Sequence, residues 1–345
     1  MPIIPLTEIN PVALPPMLVL LLGLVLNMAL GRDTWLRRTF EGPIDAANRF
    51  VGGLEQRYNR PNMSAAMRKA DGLSTLAFLV LLAGLVGVLL MWFVAAVPYG
   101  WLLEVVIIAA VLVQRAHLDR TRVVIRSLAA GTEQGRAALA LTARRDTAAL
   151  DRPGLARTCV ENTARAAFEG LMAPVFYYLL LGLPGLLVLR TVNGFHHMIN
   201  DQTPFSACFG WGGARFNQIL MAPVAVLSPV IVGLATLSLW PGRALEAVVT
   251  GYRAGNRHYL PMTGPVSAAF AGALGLRLGG PVRIKGTAYD GAFYGGPIED
   301  ADTPQMCAAL MLFVRVSLTL ALILALATAL GYAAPLATLV MPPPA

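Results

Sequence analysis

Charge is scarce in this 345-residue chain. Asp, Glu, Lys and Arg make up 13% of it, about half the share usual in soluble globular domains. With 56% hydrophobic residues and a mean hydropathy of +0.63, that shortage excludes an ordinary soluble domain. Cysteine is nearly absent as well. Cys159, Cys208 and Cys307 are odd in number and lack Cys-x-x-Cys spacing, which leaves no basis for a disulfide framework or a zinc site. There is no Gly-Lys-Ser/Thr string for a Walker A loop. Neither an internal repeat nor a low-complexity linker divides the chain, so residues 1–345 read as a single domain.

Long apolar runs are what the chain has in place of charge. Leu73 to Val97 and Met306 to Leu330, the latter broken only by Arg315, exceed the roughly 20 residues that cross a hydrocarbon core. Weaker runs are Met17 to Leu30, Trp101 to Val113, Ile219 to Trp240 with Pro223 and Pro229, and Leu171 to Leu189 with Gly182, Pro184 and Gly185. The expected fold is all-α: a polytopic integral membrane protein of five or six transmembrane helices. The first run lacks the flanks of a signal peptide and reads as a retained helix. The net charge of +8 falls between the runs, so a lipid bilayer rather than nucleic acid is the expected partner. Residues 32–71 carry eight Lys or Arg against five acids, and 115–170 carry ten against six. The positive-inside rule makes both cytoplasmic, with the Pro98-Tyr-Gly100 turn and the N-terminus outside. Cytoplasmic segments are expected at about 31–72, 115–170 and 241–306.

Within these segments the pattern predicts a helix around Ala46 to Tyr58, broken at Pro61. Residues 115–151 read as one long helix whose basic face lies on lipid headgroups. Asp151 followed by Pro153 has the form of a helix start. The run Leu171 to Leu189 has two solutions. Either it crosses, or it turns back at Gly182-Leu-Pro-Gly185 and keeps 190–218 on the cytoplasmic side. The stretch Val266 to Leu278 is too short to span and fits a re-entrant segment, which must be buried in protein or line a cavity.

With landmarks that begin at Gly135-Arg136 and Arg145-Asp146-Thr147, the chain resembles, from about its first membrane helix to its last, the adenosylcobinamide-phosphate synthase family of cobalamin biosynthesis, the CobD/CbiB family. The landmarks continue through Glu161, Glu169-Gly170 with Ala173-Pro174, Val192-Asn193 with Met198, and Phe209-Gly210 with Ala214-Arg215. His258, Pro261 and Gly264 follow, then Ala271-Gly-Ala-Leu-Gly275 and Leu278-Gly-Gly-Pro281. The resemblance implies an enzyme in the inner membrane of a bacterium. It would join adenosylcobyric acid to aminopropanol or its phosphate through an amide bond, with ATP and Mg²⁺. Such chemistry needs carboxylates for the ion and cationic or backbone donors for phosphate.

The departures fall on that requirement. Where the family carries acids or a motif amide, this chain has Asn27, Gly31-Arg32-Asp33, Arg165-Ala166, His196, Asn217, Gln218, Met221, Ala254, Met262 and Ser267. Glu161-Asn162-Thr163 repeats a family string four residues early, but sliding the alignment to use it breaks Gly170 and Ala173-Pro174. If activity survives, Asp146, Glu161 and Glu169 are the candidate catalytic acids. Arg145, Thr147, Asn193, Arg215 and His258 are the candidates for substrate or phosphate.

Each candidate also has a plainer reading. Arg145-Asp146 reads first as a structural ion pair. Glu161 and Glu169, eight apart on one helical face, fit a shared metal or, with Arg157 and Arg165, a salt-bridged surface. His196-His197 with His258 is a weak metal set, and Gly279-Gly280-Pro281 fits a tight turn or an anion nest. Arg315 fits a snorkelling side chain. Two functions stay open: a degenerate scaffold or subunit contacting protein partners in a membrane complex, or an active, corrinoid-binding synthase. A transporter finds little support, because polar residues within the runs are few.

Overall fold

The computed structural model describes residues 14–30, 49–60, 63–143, 145–199, 204–258, 260–284 and 287–340. Gly31-Arg32-Asp33, Pro61 and the start of the helix expected at Ala46 lie outside them. Residues 49–58 are helical. The described residues are dominated by helix, and five stretches are long and apolar enough to cross a membrane: Ala65–Ala96, Trp101–Ala130, Arg152–His197, Trp211–Leu237 and Thr303–Gly331. This is the expected all-α polytopic architecture.

Helix α1 (Pro16–Ala29) has 14 residues, roughly 21 Å, which is short of the hydrocarbon thickness. Helix α2 (Ala65–Ala96) is capped by Ser64, whose hydroxyl accepts from Met67 N–H at 3.2 Å. Most of its apolar surface is exposed, Leu81 at 73% and Trp92 at 70%, as suits a lipid-facing helix. Its buried stripe includes Gly72 and Gly87. These sit against the Phe209 carbonyl and Pro184, where a Cβ would clash, so the backbones approach as small residues allow in membrane packing.

The turn 97–100 leads into α3 (Trp101–Val111) and, after a break at Leu112, α4 (Gln114–Ala130). Extended backbone at Gly131 separates α4 from α5 (Thr132–Ala140). The single helix expected over 115–151 is therefore two helices and a loop. Helix α6 (Arg152–Ala167) starts as its sequence requires: the Asp151 carboxylate accepts from Gly154 N–H at 2.8 Å, with Pro153 in the first turn. It runs through one π turn, Phe168–Met172, straight into α7 (Ala173–Ile199). The segment limits expected at 72 and 170 thus fall inside helices. Apolar runs mark where hydrocarbon is met, not where helix begins or ends.

Helix α7 is sharply kinked. Gly182 has φ 64° and ψ −148° with Pro184 behind it, and a Cβ on Gly185 would lie 2.5 Å from the Tyr177 carbonyl oxygen. His197 comes back to within 3.2 Å of Glu169, although a straight helix would separate residues so far apart in sequence by roughly 42 Å. Within Leu171 to Leu189 the chain therefore turns back at Gly182 to Gly185.

The short α8 (Pro204–Phe209) precedes α9 (Trp211–Leu237). Next comes an antiparallel pair, α10 (Ala244–Ala254) and α11 (Gly264–Leu274), 11 residues each. All but one residue of α11 is buried, and Gly251, Gly255, Gly264 and Gly272 let the two backbones touch. The apolar stretch Val266 to Leu278 is thus a helix to Leu274 and strand from Arg277. Its enclosure by protein meets the condition for a short non-spanning segment at membrane depth.

Strands β1 (Arg277–Gly279), β2 (Val282–Ile284), β3 (Thr287–Tyr289) and β4 (Phe293–Gly295) form two antiparallel ribbons, β1 with β4 and β2 with β3. These ribbons are the departure from pure helix in the described residues. Helix α12 (Thr303–Val340) closes the bundle against α6, Met306 and Phe313 being fully buried. Arg315 lies on its exposed side. Cys159 is buried and Cys307 exposed, and both are free.

Candidate functional site

Helix α6 and its π turn carry Glu161, Arg165 and Glu169 at successive turns, and residues from distant segments come to meet them. Glu161 is 5% exposed. Its Oε2 pairs with Arg145, from the loop before α6, and its Oε1 accepts from Gly279 N–H at 2.8 Å. That loop is itself tied down. Arg136 donates to the carbonyls of Thr147, Ala148 and Leu150 at 2.6, 2.7 and 2.8 Å, and Asp146 N–H donates to Arg283 O at 2.8 Å. Thr147 is buried by this wrapping.

One helical turn further on, Arg165 donates to Asn162 Oδ1 at 3.3 Å. Its charge acts on both His117 of α4 and His258, beyond α10. His117 touches Thr163 and Thr121 at 3.5 and 3.0 Å. Glu169, in the π turn, pairs with His197 and lies near Arg190, which donates to Val111 O at 2.6 Å. π turns concentrate at functional sites, and a charged residue within an apolar run marks such a site by default.

His258 is 8% exposed, and its Nδ1 accepts from Leu260 N–H at 2.9 Å. Burial, with the Arg145 and Arg165 charges, lowers its pKa to about 4, against a bond to Leu260 that raises it. A histidine in the unfolded chain titrates near 6.5. Between these values the unfolded state binds more protons, so stability is complete above pH 7 and falls as the pH drops towards 4, by about 3 kcal/mol. Unfolding in detergent from pH 7.5 to 4.5 is expected to show that slope, and His258→Gln is expected to reduce it; parallel curves would rule His258 out as the group.

The other candidates are dispersed. Arg215 is exposed and bonds Gln218 Oε1 at 3.0 Å. Asn193 and Asn217 are buried, with both amide atoms of the first and Oδ1 of the second lacking hydrogen-bond partners among the described residues. The salt-bridged surface expected of Glu161 and Glu169 with Arg157 and Arg165 is replaced, at Glu161, by a buried pair. Glu161 pairs with Arg145 and Glu169 with His197, while Arg157 donates to Glu299 O at 2.9 Å.

Magnesium fits this donor set poorly. Ligand oxygens must lie about 2.0–2.1 Å from the ion, yet Glu161 and Glu169 are roughly 12 Å apart along the helix and each is turned to its own partner, Arg145 and His197. No group of three His, Cys, Asp or Glu among the described residues is placed to hold a metal. Asn27 has a different task. Its Nδ2 donates to Ala109 O and Leu112 O, both at 2.8 Å, and its Oδ1 accepts from Arg115 N–H at 3.2 Å. The amide thereby bridges the break between α3 and α4, and a carboxylate, having no donor, would repel both carbonyls.

A family model described as CobD/Cbib protein matches residues 20–335. The chain belongs to the CobD/CbiB family. It is 34% identical to a Sinorhizobium sp. protein named cobalamin biosynthesis protein CobD, over 78% of this chain and 84% of that one. Proteins of the same name from Rhizobium meliloti and Rhodobacter capsulatus are 33% identical over 78% of the chain and 28% over 91%, covering 83% and 97% of those proteins. No solved structure matches the chain. Within this CobD/CbiB frame, Arg190 and His117 join the site without standing among the candidates read from the residues. A cation late in an apolar run is the signal for Arg190; His117 carries none, since it lies at the start of a helix that otherwise looks like a basic surface.

Proposed function

We propose that this chain is a CobD/CbiB protein attached to cobalamin biosynthesis that no longer carries out Mg-ATP ligation and serves as a subunit or scaffold of a membrane complex. One observation carries the reading. Glu161 and Glu169, the acids left on the face of α6, are bonded to Arg145 and His197 and face different partners, so among the described residues no cluster of charged oxygens is left for a hard divalent ion. Asn27 supports it, since its two donated bonds fill a structural role that an acid cannot take. A frame that persists over residues 20–335 while its ion-binding charge is lost retains surfaces rather than chemistry, and protein partners in the same membrane are what such surfaces serve.

Purified protein in detergent, supplied with Mg-ATP, adenosylcobyric acid and aminopropanol or its phosphate, is expected to form no amide product above a protein-free control. Product formed by this chain and lost on Glu161→Gln would establish the other reading, an active synthase. The buried amide of Asn193 and the Oδ1 of Asn217, which lack partners among the described residues, favour that reading, because unsatisfied polar groups suit a polar ligand.

A further inference from the structure

A cleft of about 300 Å³ lies where α9 and α11 end and α10 and α12 begin, and the described residues lining it include none of the candidate site residues. Trp240, Leu274 and Ile298 give it apolar walls, and Arg243 is the charged residue among those lining it. Trp240 closes the apolar run of α9, and Pro304 stands just before that of α12. The cleft therefore sits where hydrocarbon gives way to headgroups, the depth that tryptophan prefers. One turn fixes the two principal side chains, since Arg243 N–H donates to Trp240 O at 2.9 Å. The guanidinium rests beside Gly275, at the C-terminus of α11, where a Cβ would come within 2.6 Å of it. Among the described residues no acid pairs with Arg243, Glu246 on the next turn included. The acids that flank the lining in sequence are taken, Glu299 by Arg277 and Asp302 by Arg152.

We propose that this cleft seats the headgroup of an anionic phospholipid, Arg243 taking the phosphate and Trp240 the glycerol backbone. A guanidinium and a phosphate form paired, charge-assisted bonds, and a basic pocket between membrane helices at headgroup depth is suited to such lipids. The volume is at the lower end of the roughly 300–1,000 Å³ of ligand sites, which fits a headgroup rather than a whole lipid. The acyl chains have a path of their own. Pro304, Ala308 and Met311 follow one face of α12, and Leu237 lies one turn before Trp240; Met311 and Leu237 are exposed and lead into the apolar runs. Gln305 serves the polar side. Its Oε1 accepts from Asp302 N–H at 3.0 Å, which leaves its amide NH₂ to donate to a headgroup hydroxyl. A zwitterionic headgroup fits less well, because its ammonium meets no acid in the described lining.

The test uses the full chain in phosphatidylcholine nanodiscs in which phosphatidylglycerol is raised stepwise from zero, with thermal unfolding followed at each composition. Wild type is expected to gain stability that saturates at a low fraction of phosphatidylglycerol. Arg243→Gln, at an exposed position, is expected to need at least about fivefold more of that lipid for the same shift, whereas Arg243→Lys keeps most of the response. Ala308→Phe keeps the charge but fills the cleft, and it is expected to lose the response too, which a general attraction of basic residues to the bilayer surface would not cause. Identical curves for wild type and Arg243→Gln would overturn the proposal, and so would a response that survives in folded Ala308→Phe. Native mass spectrometry of wild type released from mixed nanodiscs reads the site without any variant. One phosphatidylglycerol retained at least about tenfold over phosphatidylcholine supports it; no retained lipid, or equal retention of both, overturns it.

Discussion

Replacement of Arg145 by Met is expected to destabilise the protein by about 3–5 kcal/mol, because it strands Glu161 as a buried charge without its partner. Glu161→Leu is expected to cost a similar amount. It removes the carboxylate from beside the buried Arg145 guanidinium, and the Gly279 N–H loses its acceptor, worth about 1–3 kcal/mol by itself. The double variant Arg145→Met with Glu161→Leu removes both charges and is expected to lose far less than the sum. Chemical unfolding in phosphate-free detergent solution, followed by tryptophan fluorescence, measures all three. Additive effects of the single changes would show that the two side chains are solvated separately, contrary to their exposure of 8% and 6%. The physical basis is asymmetry: an ion pair in low dielectric contributes little net stability, but either half alone is costly.

The second large effect is steric. A Cβ at Gly264 would fall within the Gly255 carbonyl and close to the His258 side chain. Gly264→Leu is therefore expected to prise α10 from α11 and lower stability by about 3 kcal/mol, the upper end of overpacking costs. Gly53, by contrast, has nothing within 4 Å of a Cβ, so Gly53→Ala is expected to change stability by less than about 0.5 kcal/mol. Protease resistance of the membrane-embedded protein and its unfolding midpoint report both. If Gly264→Leu leaves the midpoint unchanged, the close approach of the two helices is absent in the membrane.

Much of the fold is legible in the chain because its causes are local. Leu73 to Val97 and Met306 to Leu330 exceed the hydrocarbon thickness, and no soluble arrangement buries so much apolar surface with so little charge. The start of α6 is equally readable, since Asp151 and Pro153 act within a single turn. The reverse turn at Gly182 is half-legible. Glycine and proline mark a place where the helix can break, but only His197 against Glu169 shows that it does. The long helix expected over 115–151 fails because glycines among helix formers, Gly131 and Gly135, are a weak signal, whereas packing of Gly135 on Leu128 folds α5 back onto α4.

The candidate site divides along the same line. Residue types and family motifs single out Arg145, Glu161, Glu169 and His258 from the chain alone. Their pairing is a different matter: Glu161 meets a glycine 118 positions away, and Asn27 meets carbonyls more than 80 positions away. The sequence by itself determines that this protein lives in a bilayer, that it is built of helices, and that its frame is that of the CobD/CbiB family, because apolar periodicity, capping and motif spacing are properties of neighbours along the chain. Only the tertiary structure decides which acid is neutralised by which cation, since charges interact through space, and the low dielectric of a packed membrane bundle makes each such pairing all or nothing.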